Sequence, residues 1–103
     1  MKTAMDYAQQ ALRIAGRAMV EPEVAAIRLE WQDAYENGQR AARRNNASDA
    51  SREAHASASV AHTERAARAA RHARKGGWWA GEWRDNARWN AMHAAWCAGY
   101  AAA

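Results

Sequence analysis

The chain has 103 residues, about the size of one domain, and its 15 Lys and Arg outnumber its 11 Asp and Glu to give a formal net charge of +4. Thirty of its residues are alanine, Leu, Ile and Val together number seven, and Phe is absent, so six Trp, three Tyr and four Met must supply much of any core. One proline and few β-branched residues argue against an all-β fold, and no run reaches the ~18–20 apolar residues that a membrane span needs.

The single cysteine, Cys97, excludes an intramolecular disulfide framework and fits a reducing cytoplasm. No apolar signal-peptide segment is visible near the first residues. So few large aliphatic residues would by default indicate disorder. The helix propensity of alanine and the bulk of the tryptophans outweigh that reading.

The first helix is predicted to begin after Thr3, because Thr3 and Asp6 have the spacing of a capping box. At about 100° per residue, Met5, Ala8, Leu12, Ala15 and Met19 share one face, widened by Tyr7, Ala11, Ile14 and Ala18. So broad an apolar arc requires more than one neighbour. Pro22 ends this helix and opens the next, where a missing amide hydrogen costs nothing. Val24, Ile27, Trp31, Ala34, Gly38 and Ala41 then form a seam that runs through Gly38 to about Arg44, leaving Leu29 outside it.

Asn45 to Ser48 reads as a loop, with Asn46 or Ser48 as the next N-cap. A third helix, about 48–75, carries a small-residue face at Ala50, Ala54, Ala58 and Ala61 and only one large aliphatic side chain, Val60. It is predicted to be weakly anchored, with its basic end free to project. Gly76 and Gly77 stop it. The fourth helix, about 78–101, holds five of the six tryptophans. Trp78, Trp89, Met92 and Trp96 fall in one stripe, and Ala87, Ala91, Ala94, Ala95 and Ala98 lie opposite. Nonpolar on so many sides, this helix should be central, with Trp89, Met92 and Trp96 in the core and the start of the stripe partly exposed. The expected fold is all-α: one domain, residues 1–103, built as a compact bundle of about four helices.

No catalytic motif is present. His93 and Cys97, four residues apart, can share a helix face as a thiolate–imidazole pair requires, but no third orienting group accompanies them, and a cysteine so placed packs as a small hydrophobe. The same pair is half of a zinc site at most, and His55 and His62 stand about 10 Å apart along a helix. No enzyme, no metal and no cofactor is therefore expected.

Two binding surfaces are. Trp78, Trp79, Trp83, Arg84 and Arg88 concentrate the residue types most enriched in binding hot spots, with the tryptophans as apolar anchors and the arginines as partners for acids or phosphates. Arg65, Arg68, Arg71, Arg74 and Lys75 form a block without one acidic residue, and the sequence pI of about 9.8 raises direct nucleic-acid binding as the alternative. A third reading, a structural homo-oligomer, rests on Glu23 and Arg28 at positions suited to interchain pairing.

In composition the chain looks similar to small accessory proteins of phages and mobile elements, anti-CRISPR inhibitors among them, some of which act by steric blockade or nucleic-acid mimicry. The likeness rests on no motif and identifies no family. Net positive charge departs from a nucleic-acid mimic, so the mechanism it implies is blockade of a macromolecular partner, a protein or a protein–nucleic acid complex.

Overall fold

The computed structural model describes residues 2–19 and 21–103. Four helices follow one another: α1 (Ala4–Arg17), α2 (Glu21–Arg44), α3 (Asp49–Arg74) and α4 (Ala80–Ala102). Their ends lie where local chemistry puts them. The Asp6 amide donates to the Thr3 hydroxyl at 3.2 Å while the Thr3 amide donates to the Asp6 carboxylate at 2.8 Å, a complete capping box. Those bonds hold the Asp6 carboxyl below its usual pKa. Pro22 sits in the first turn of α2, one residue later than expected. Ser48 caps α3 by accepting from the Ser51 amide, and Asn46 takes the left-handed turn position at φ 49°. Gly76 and Gly77 adopt φ of 75° and 90°, a conformation that side chains with a Cβ disfavour, and they reverse the chain between α3 and α4.

α4 is the centre of the bundle. It packs along α3, α2 and α1, whereas α2 and α3, joined by a short loop, share almost no interface. α2 runs parallel to α4, since Glu30 meets Arg88 and Gly38 meets the backbone of Trp96. α1 runs parallel to α3, with the Ser59 hydroxyl near the Ala4 carbonyl and the Thr63 hydroxyl donating to the Tyr7 backbone carbonyl at 3.0 Å. The assembly measures 45 × 23 × 23 Å.

The interior is built from alanine. Ala8, Ala11 and Ala15 of α1, Ala66, Ala69 and Ala70 of α3, and Ala87, Ala91, Ala94, Ala95 and Ala98 of α4 form its main body. Ile27 is the largest fully buried side chain, and Trp31, nearly buried, donates its indole N–H to the Ala8 carbonyl at 2.9 Å. Such a core works only if the helix axes approach closely. At the α2–α4 crossing a Cβ on Gly38 would overlap the Trp96 carbonyl oxygen, and one on Gly99 would overlap that of Tyr35. The two glycines thus let each backbone touch the other, so that many short side chains regain in dispersion contact what they lack in size.

Three expectations are corrected here. The inward face of α4 is the alanine face: Trp89 is 56% exposed, and Met92 and Trp96 are only half-buried. The inward face of α3 is Ser59, Thr63, Ala66, Ala70 and Ala73, whereas Ala50 and Ala54 face solvent. Ser59 and Thr63 are tolerated inside because their hydroxyls donate to backbone carbonyls, Ser59 to Ala94 at 2.8 Å. Finally, the basic end of α3 does not project, because Ala69, Ala70 and Ala73 anchor it to the bundle through its last turns.

Candidate functional site

Because α3 and α4 are antiparallel, each residue of one helix has a fixed opposite number in the other. The three histidines of α3 stand in that register against rings of α4, which carries the fourth, His93. His55 stacks on Tyr100 with centroids 3.9 Å apart, His72 stacks on Trp83 at 4.4 Å, and His62 lies 5.2 Å from His93, which itself packs 3.7 Å from Trp89. The His62 Nδ1–H donates to the Asn90 side-chain oxygen at 2.9 Å, and Asn90 in turn donates to Asn86. Burial, together with the neighbouring His62, holds the His93 pKa below its ordinary value. Burial pushes the Cys97 thiol up, so it is the opposite of an activated nucleophile. Among the described residues no group of three or more His, Cys, Asp or Glu side chains comes together to hold a metal ion.

At the far end from the Gly38–Gly99 crossing, this seam opens. Trp78 and Trp79 lie in the turn before α4, not on the helix, and are 89% and 62% exposed. Trp83, one turn into α4, keeps 36% of its surface in solvent. Trp79 is the N-cap of α4 and supplies no side-chain capping bond. Arg84 is exposed. Arg88 is not equally available: its guanidinium forms a two-pronged ion pair with Glu30 of α2, which raises its pKa further.

The five residues of the basic block separate in the structure. All are exposed. Arg71 and Arg74 belong to the last turn of α3, where positive charge complements the helix dipole, and Lys75 caps it. Arg65 and Arg68 lie further from that end, where the dipole has faded. These two line an open groove of about 370 Å³ between α3 and α4, together with His72, Trp83, Asn86 and Trp89. The groove therefore unites part of each predicted surface: two arginines from one and Trp83 from the other. It adds Trp89, which the helix wheel places in the core. The signal for its exposure was in the sequence: Glu82 and Asp85 share the azimuth of Trp78 and Trp89.

No described helix is long and apolar enough to cross a membrane. Comparison of the chain with protein-family models, with curated proteins and with solved structures gave no match.

Proposed function

We propose that this chain is a non-catalytic binding protein that acts in the cytoplasm by occupying the surface of a macromolecular partner, in the manner of an inhibitor or accessory protein. The observation that carries this reading is the exposure of Trp78, Trp79, Trp83 and Trp89 at one end of a bundle whose interior is alanine. A small domain seldom leaves several indoles together in water without a use for them, since contiguous exposed apolar patches mark interaction sites. The α3 side of this surface carries Arg65 and Arg68, while Glu82 and Asp85 stand among the tryptophans of α4, and the arginines favour a partner that presents negative charge to α3.

Trp79 and Trp83 serve as anchors here, and each truncation to alanine costs about 2 kcal/mol or more in affinity. Affinity capture from lysate, with and without nuclease and at low and high salt, tests this directly. A discrete partner that is retained by the native chain and lost from the Trp79→Ala and Trp83→Ala variants is the expected result. Equal retention by the folded variants removes these residues from the interface.

A further inference from the structure

We infer that the groove between α3 and α4 is a stacking site for single-stranded nucleic acid, with phosphates held on the α3 side by Arg65 and Arg68 and unpaired bases laid against Trp83 and Trp89 of α4. The inference rests on the reading of this face as a binding surface and names the chemistry of its partner.

Four observations carry it. First, Arg65 and Arg68 are exposed on the groove wall and, like most of the chain's basic residues, have no ion-pair partner among the described residues. Nor does the α3 dipole account for them, as it does for Arg71 and Arg74. Second, the groove sets these guanidiniums opposite flat π-surfaces, the combination by which strands are held without sequence preference. Third, the indoles are held by neighbouring rings: His72, itself on the groove wall, stacks on Trp83, and His93 packs against Trp89. Rings held in this way lose little freedom when a base arrives. Fourth, Trp83 and Trp89 both line this groove, about 9 Å apart along the axis of α4 and about 120° apart around it, with Asn86 between them.

A duplex fits this arrangement poorly, because its base faces are already stacked on one another, and a groove reader needs edge contacts instead. An acidic peptide would satisfy the arginines but leave the indole faces without flat partners. The negative charge nearby sets the orientation. Glu82 lines the adjoining hollow with Trp79, Trp83 and Asn86, and Asp85 lines another with Arg88 and Trp89, so the phosphates run along α3, away from both. The Asn86 amide, at the rim of both hollows, can bond to base edges.

The test is a titration of the full chain into fluorescently labelled oligothymidylate and oligouridylate at several salt concentrations, followed by anisotropy, with a duplex of equal length as competitor. Saturable binding to the single strands, with the duplex a weak competitor, is expected. Trp89→Ala should weaken binding between about 5-fold and about 150-fold. The Arg65→Ala/Arg68→Ala double variant should flatten the slope of log affinity against log salt by about 1.4. Glu82→Gln should tighten binding. All of these positions are solvent-exposed, and circular dichroism confirms that each variant is folded before it is titrated.

Absence of saturable binding at low salt overturns the inference. So does equal affinity for duplex that is unchanged by Trp89→Ala, which would reduce the site to unspecific charge. If strands fail to bind while a nuclease-resistant protein partner is lost from the Trp83→Ala variant, the surface stands and its partner is a protein. If neither binds, both readings fail.

Discussion

Along one side of α4, Ala87, Ala91, Ala94 and Ala98 are fully buried, while on the other side of the same helix Trp89 keeps 56% of its surface in water. By hydrophobicity per residue the arrangement should be reversed, since an indole gains far more from burial than a methyl group. What decides it is the distance between axes. The Gly38–Gly99 crossing and the alanine surfaces bring α2, α3 and α1 so close to α4 that an indole on the inner face has no room. Packing density over the whole interface outweighs transfer free energy at any one position. The tryptophans are displaced to the outer face, where Trp89 and Trp83 stay partly in water.

This contrast can be broken at graded cost. Trp31, the one indole that the interior accepts, should lose about 3–5 kcal/mol of stability on Trp31→Ala, read from urea unfolding, because it leaves a cavity and removes a bond to Ala8. Gly99→Ala should cost about 3 kcal/mol, since the added methyl meets backbone that no rotamer change can move. Ser59→Ala should cost about 1 kcal/mol through the lost bond to the Ala94 carbonyl.

His93 adds a pH dependence. Its pKa in the fold lies below the value of about 6.5 expected in the unfolded chain, so protonation favours unfolding. Its contribution is harmless above about pH 6.5 and is felt progressively as pH falls through the lowered folded value. The urea midpoint should therefore fall between neutral and mildly acidic pH, and fall less in His93→Gln. Trp89→Ala should have the smallest effect of all, within about 1 kcal/mol, because more than half of the side chain is already in water and the ring pairs it loses are those with His93 and His62.

The helices themselves were legible. Thr3 with Asp6, Ser48 and the Gly76–Gly77 pair fix their ends by local hydrogen bonding and backbone conformation, which depend little on the rest of the fold. The seam of α2 was legible too, because Ile27 and Trp31 stand out from a polar background. The facing of α3 and α4 was not. A helix wheel ranks Ala50, Ala54, Ala58 and Ala61 equal to Ala66, Ala70 and Ala73, and it cannot foresee that Ser59 and Thr63 find carbonyls across the interface. On α4 it ranks tryptophan above alanine, and only Glu82 and Asp85 in the tryptophan stripe spoke against that order. Of the site, Trp78, Trp79, Trp83 and the arginines were visible as types. The meeting of Trp83 with Arg65 and Arg68 in one groove was not, because it depends on the antiparallel register of α3 and α4.

Hydroxyl-radical footprinting of the free protein, read residue by residue by mass spectrometry, tests the inverted packing of α4 most directly. If alanine lines the interior, Trp78, Trp79 and Trp89 oxidise fast, Trp83 and Trp96 more slowly, and Trp31 is protected. Protection of Trp89 to the level of Trp31 would contradict that packing and place the indole stripe in the core.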